Sequence, residues 1–215
     1  MKNTHFLKPV FVLLMMVALM AGCEETEEQY EALNLQIGKT SESGGLVFYD
    51  KGEYSNGWRY IEAAPEDING PIEWGCYNTS VAGAKNSEVG MGKANTEAII
   101  NFHDALDNFY SNPSVCNDNS NGTVAAKAVS QLVINGYSDW YLPSKEEARL
   151  MYCALYLKGL GNFDNGDGNT GPGLYWTSTE RTDNSAATID FSNGCTKYSC
   201  KKCSDNTKIR AIRYF

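Results

Sequence analysis

Asp139-Trp140-Tyr141-Leu142-Pro143-Ser144-Lys145-Glu146-Glu147-Ala148-Arg149-Leu150-Met151-Tyr152-Cys153-Ala154-Leu155 is the stretch on which the reading of the fold turns. Pro143 interrupts what precedes it, Ser144 stands three residues before Glu147, and Leu150, Met151, Ala154 and Leu155 follow at helical steps. A serine hydroxyl facing the third amide of a helix, with a glutamate reaching back to the serine amide, forms a capping box. The spacing therefore predicts a helix that opens at Ser144 and ends by Gly159. Working toward the amino terminus, residues 123–134 place Val124, Ala128, Leu132 and Val133 on one face, with Asn135-Gly136 as the stop. Residues 95–109 do the same with Ile99, Phe102, Leu106 and Phe109, and Asn95 is placed to cap them. Downstream the period shortens to two: Leu174-Tyr175-Trp176-Thr177, Ala187-Thr188-Ile189-Asp190-Phe191 and Ile209-Arg210-Ala211-Ile212-Arg213-Tyr214 read as strands. Upstream, Leu46-Val47-Phe48-Tyr49 and Trp58-Arg59-Tyr60-Ile61 read as strands too. Helices in the middle and strands at both ends predict an α+β fold, with a mainly antiparallel sheet, about three short helices and long loops.

Composition agrees with one globular domain. Of 215 residues, 42% are hydrophobic and 20% charged, and from residue 37 to 215 no low-complexity stretch or repeat interrupts the chain. The formal charge is −8; setting aside the first 22 residues, which hold Lys2, Lys8 and no acid, leaves 16 basic residues against 26 acidic ones, −10. A chain this negative repels nucleic acid and anionic head groups, so a basic-surface function is excluded as the default.

The amino terminus has its own logic. Lys2 and Lys8 precede an apolar run over residues 9–20, followed by Ala21, Gly22 and Cys23. A charged start, a short apolar segment and small residues make a secretory signal, too short to span a bilayer. Leu19-Met20-Ala21-Gly22-Cys23 resembles the bacterial lipobox, with Met20 where leucine is usual, so residues 1–22 are expected to be a lipoprotein signal peptide and Cys23 the lipidated residue. Glu24, Glu25, Glu27 and Glu28 then begin a tether over 23–36 that is too charged to bury anything. This acidic run resembles the export signals that carry Bacteroidetes lipoproteins to the outer cell surface; a merely solvated linker accounts for the same acids. The expected location is the bacterial envelope, anchored in the outer membrane.

Candidate chemistry is sparse. His103, inside the first helix beside Asp104, is the one histidine left after the signal, so histidine-rich metal sites are excluded by count; a partly exposed helical position is expected for it. Cys76, Cys116, Cys153, Cys195, Cys200 and Cys203 make an even six in an exported chain and allow up to three disulfides. The last three lie within nine residues and admit a disulfide-stapled hairpin, a zinc site or a redox Cys200–Cys203 pair, of which the stapled hairpin is the expectation. Lys197, Lys201, Lys202 and Lys208 are the one basic cluster and the place to look for an anionic ligand, with solvated surface as the plain alternative. Asp164-Asn165-Gly166-Asp167-Gly168-Asn169 departs from EF-hand spacing; it reads as a turn-rich loop, with calcium in an irregular loop as the other option. No metal or other cofactor is expected. Trp140 and Trp176 read as core, Asp139 as the partner of an amide or an arginine, and Arg210 and Arg213, three apart on one strand, as pointing to opposite faces.

Several phrases then become familiar together. Gly44-Gly45-Leu46-Val47-Phe48-Tyr49, Trp74-Gly75-Cys76, Gly90-Met91-Gly92-Lys93-Ala94-Asn95-Thr96, Asn135-Gly136-Tyr137-Ser138-Asp139-Trp140-Tyr141-Leu142-Pro143-Ser144, Tyr175-Trp176-Thr177-Ser178-Thr179-Glu180 and the closing Ile209-Arg210-Ala211-Ile212-Arg213-Tyr214-Phe215 resemble, in order and spacing, the Lcl C-terminal domain family. The resemblance covers nearly all of residues 37–215. It implies a fold related to C-type-lectin-like and formylglycine-generating-enzyme-like domains, on a family whose namesake binds sulfated glycans and whose members share no known activity. Three functions follow as expectations. The first is a non-catalytic binding module that engages glycan or another envelope macromolecule through loops around residues 160–205. The others are a thiol-oxidising enzyme using Cys200 and Cys203, and a structural envelope protein. One outcome follows from the sequence alone. Cys23→Ser is expected to abolish incorporation of labelled fatty acid and to move the protein out of the membrane fraction, as read by metabolic labelling and fractionation.

Overall fold

A computed structural model describes residues 36–166, 173–203 and 207–215. The expected signal peptide, Cys23 and the tether up to residue 35 lie outside the described residues, as does the Asp167–Asn169 half of the candidate calcium loop. The chain runs β1 (Leu46–Ser55), β2 (Trp58–Ala63), α1 (Gly92–Asp104), α2 (Ala125–Ser130), α3 (Lys145–Ala154), β3 (Leu174–Thr182), β4 (Ser185–Asp190), β5 (Cys195–Cys200), β6 (Thr207–Lys208) and β7 (Ile212–Tyr214). Single 3-10 turns occur at Pro113–Val115 and Tyr156–Lys158. The fold is α+β. Its strands form two sheets, ordered β1-β2-β7 and β5-β4-β3-β6, and every pairing is antiparallel except the parallel β3–β6 contact.

α3 follows the capping box. The Glu147 amide donates to Ser144 Oγ at 3.3 Å and the Ser144 amide to Glu147 Oε2 at 2.7 Å. α1 begins three residues earlier than expected. Asn95 is not its cap but sits in the first turn, where its amide donates to the Asn86 carbonyl at 2.6 Å. α1 also stops at Asp104: beyond it Leu106 and Phe109 donate back three residues, and Asn108 takes φ +57°, so Phe109 is buried by turns rather than by a helix. α2 ends at Ser130, well before Asn135-Gly136. That pair, at φ +50° and +86°, closes a tight turn in which Ile134 and Tyr137 bond each other.

Of the expected strand 209–214 only Ile212–Tyr214 is strand, as β7. β6 pairs with β3 and β7 with β2, and residues 209–211 cross between them, tied by Ile68–Ile209 and by the Ala64 amide on the Ala211 carbonyl at 2.8 Å. Residues 209–211 do not continue the strand, so its two-residue alternation does not set one arginine in and one out: Arg210 and Arg213 are both buried. Arg210 donates to Asp67 Oδ1 at 2.6 Å and to the carbonyls of Ala64, Gly161 and Asn162, which fastens the 161–162 loop to the sheet.

Two apolar clusters hold these layers. One gathers Trp74, Trp140, Trp176 and Ile99 with the small residues of α2; the other places Phe48, Ile61, Tyr175, Ile189 and Phe191 against Ala148 and Met151 of α3. Trp140 and Trp176 are core, as expected, and so is Trp74; each of these three indole N–H groups finds a carbonyl: Trp74 on Thr177, Trp140 on Tyr137, Trp176 on Ile72. A Cys76–Cys116 disulfide closes a 40-residue separation beside the first cluster, a constraint worth about 2–4 kcal/mol through the unfolded chain. His103 is wholly enclosed there rather than partly exposed. Its Nδ1 meets the Ile99 carbonyl at 2.7 Å and its Nε2 accepts the Cys76 amide at 3.0 Å, which fixes the neutral Nδ1–H tautomer.

Burial holds the His103 pKa down at about 4, from 6.5, while burial pushes Glu147 up to about 7 from 4.5 against the amides that bond it. Their linkages oppose. Stability supplied by neutral His103 is present above pH 6.5 and is lost as pH falls toward 4; stability supplied by protonated Glu147 is present below 4.5 and is lost as pH rises through 7. Each is worth about 3 kcal/mol across its window, so the two slopes nearly cancel between pH 4.5 and 6.5. In Glu147→Gln the His103 slope stands alone, and urea unfolding is expected to show stability falling by about 3 kcal/mol from pH 6.5 to 4. The parent is expected to change much less.

Candidate functional site

In the three-stranded sheet β2 is central, and Glu62 on β2 lies directly across from Arg213 on β7. A carboxylate buried on a central strand needs partners on every side. Arg213 Nη1 donates to Glu62 Oε1 at 2.9 Å, Ser43 Oγ donates to the same oxygen at 2.6 Å, and Ser41 Oγ donates to Oε2. The serines arrive on the Gly44-Gly45 loop, which passes so close that a Cβ on Gly45 would stand 2.9 Å from Glu62 Cδ. On the other side Arg213 Nε donates to Asp139 Oδ1 at 2.8 Å. Asp139 is held there because its neighbour Tyr141 exchanges both backbone bonds with Ile212, at 2.8 and 2.9 Å.

The guanidinium of Arg213 also lies over aromatic rings, 4.3 Å from the Tyr137 centroid and 5.2 Å from that of Phe215. Phe215 in turn packs on Tyr60 at 5.6 Å, and the main-chain amides of Arg59 and Tyr60 both donate to its carbonyl. Above this floor opens a cleft of about 390 Å³, walled by Tyr60, Tyr137 and Phe215 and rimmed by Gln36, Thr40, Ser41 and Glu42. The site is thus a polar, aromatic-walled depression over an ion pair that is already satisfied. It brings together no histidine, no cysteine and no lysine.

The residues singled out from sequence lie elsewhere. The four lysines do not cluster. Lys201 is fully buried, bonded to Glu180 at 2.5 Å and to the Thr79 carbonyl at 2.7 Å, and lies over Trp74. Lys202 covers Tyr77, and Lys208 pairs with Asp164 at 2.9 Å on β6, the edge of the sheet opposite β5 and its exposed Lys197. Sequence proximity around a tight turn sent these charges in different directions. The stapled hairpin is also not what holds this region: Cys195 and Cys200 are free thiols at the two ends of β5, and backbone pairing along all of β4 does the work. Cys203 follows one turn later, its amide on the Cys200 carbonyl at 2.9 Å, with the buried Lys201 between them. Cys76 and Cys116 pair, and Cys153 is disulfide-bonded rather than free. Among the described residues no three metal-ligating side chains come together.

Sequence reading missed Glu62, Ser41 and Ser43 altogether, and had Asp139 and Arg213 only as separate structural residues. The usable signal was the acid at Glu62 between Ile61 and Ala63-Ala64, which demanded a buried cation. Comparison with family models and with curated proteins finds no match for this chain.

Breaking the ion pair from one side is expected to destabilise this end of the fold. Glu62→Ala and Arg213→Ala each leave a buried charge behind and are expected to cost about 3–5 kcal/mol in urea unfolding. The double variant is expected to cost clearly less than the sum, the mark of direct coupling.

Proposed function

We propose that this protein is a lipid-anchored module of the bacterial envelope, built on a C-type-lectin-like variant of the α+β plan as in the Lcl C-terminal domain family, and that it binds a surface glycan in the Arg213 cleft without transforming it. The cleft is the observation that carries this reading. Rings at a depression offer flat apolar faces to the C–H side of a sugar, while hydroxyl, amide and carboxylate groups on the rim match its hydroxyls. The cleft's serine hydroxyls are both bonded to Glu62, whose carboxylate is held by Arg213, and the enclosed His103 is spent on Cys76 and Ile99, so no imidazole stands by a hydroxyl there. The lipobox-like segment and acidic tether support display on the outer membrane, and the domain's acidity argues against nucleic-acid partners.

The binding loops belong, on this proposal, to residues 36–43, 137 and 215 rather than to 160–205. Screening the acylated full-length protein in detergent against a glycan array is expected to yield saturable, reversible binding. Tyr137→Ala is expected to weaken that binding about tenfold, the value of a lost aromatic contact near 1.4 kcal/mol. Absence of binding to every glycan, or release of a cleaved product, would overturn the proposal.

A further inference from the structure

Resting on that reading, we infer that the cleft selects uncharged, hydroxyl-rich saccharides and rejects sulfated or carboxylated ones. An arginine at the bottom of a sugar-sized depression looks at first like an anion site, and the resemblance to a sulfated-glycan binder points the same way. The geometry here argues otherwise. Arg213 is held between two carboxylates, Glu62 at 2.9 Å and Asp139 at 2.8 Å, and its flat face is covered by the ring of Tyr137. Its charge is thus already matched twice over before a ligand arrives.

What remains is an acidic surplus. Glu42 lines the cleft and is exposed, while Arg213, the one cation among its lining residues, is shared between the buried Glu62 and the half-exposed Asp139. A sulfate entering the cleft would meet like charge at Glu42 and a guanidinium whose charge is already shared between Asp139 and Glu62, the latter a group with no exposure of its own. A sugar hydroxyl, by contrast, donates to the exposed Glu42 carboxylate without any rearrangement. Gln36, Thr40 and the Tyr60 and Tyr137 hydroxyls add uncharged partners of both senses. Specificity of this sort comes from the repulsive element as much as from the attractive one.

The test compares one oligosaccharide bound by the full-length, acylated protein in detergent with its chemically sulfated derivative. The sulfated form is expected to bind at least about fivefold more weakly, the scale of one partly screened like-charge contact. The gap is expected to narrow as salt rises from about 20 mM to about 500 mM, where charges more than a few ångströms apart no longer sense each other. Glu42→Gln is expected to shift the ratio toward the sulfated ligand. Equal or tighter binding of the sulfated form, lost on adding salt, would overturn this inference while leaving a glycan-binding role standing. Failure of both forms, and of the whole array, would bring down the binding role on which it rests.

Discussion

A carboxylate cannot be left bare on the middle strand of a sheet, and that constraint organises one whole end of this molecule. Glu62 is met by a cation from β7, by two hydroxyls from the loop before β1, and, through Arg213, by Asp139 from the segment that leads into α3. Four stretches distant in sequence are thereby held to one point. The cleft is the space left over when they converge, and its walls are the residues two positions from the three charged groups: Tyr60 from Glu62, Phe215 from Arg213, Tyr137 from Asp139. Energetically such a pair adds little over an apolar substitute, but it forbids any other register, because a shift of one residue would strand both charges.

The same device recurs at the other sheet. Lys201 and Glu180 are both without exposure, and Glu180 also accepts the Ser80 hydroxyl and the Val81 amide. Arg210 serves the loop at 161–162 in like fashion through Asp67. Three buried cations, each with a carboxylate, fix long irregular segments that backbone pairing alone would leave loose. This is how a fold with few regular elements keeps its loops in place.

Much of this plan could be read from the chain. The capping box at Ser144 and Glu147 located the start of α3 to the residue, and the apolar runs at Leu174 and Ala187 located β3 and β4, because those signals are local. What could not be read was anything decided between distant segments. The run from Ile209 to Tyr214 alternates like one strand, yet only Ile212–Tyr214 pairs as one while residues 209–211 cross over from β6 in the other sheet, and only the positions of β2 and β3 in space reveal the break. The lysines between 197 and 208 look like a patch because they are neighbours in sequence; a turn and an edge strand disperse them. The cleft was invisible for the same reason, since Glu62 and Arg213 are separated by 151 residues.

That separation has a kinetic meaning. Contacts between remote parts of a chain form only after the entropy of closing the intervening loop has been met, and proteins rich in them fold slowly. The pocket wall is therefore among the last surfaces to assemble, after the helices and the β3–β4 hairpin have condensed. Until then the edge of β2 that will receive β7 is unpaired and open to a neighbouring chain. The interval before closure, rather than the finished domain, is where this edge is open to mispairing.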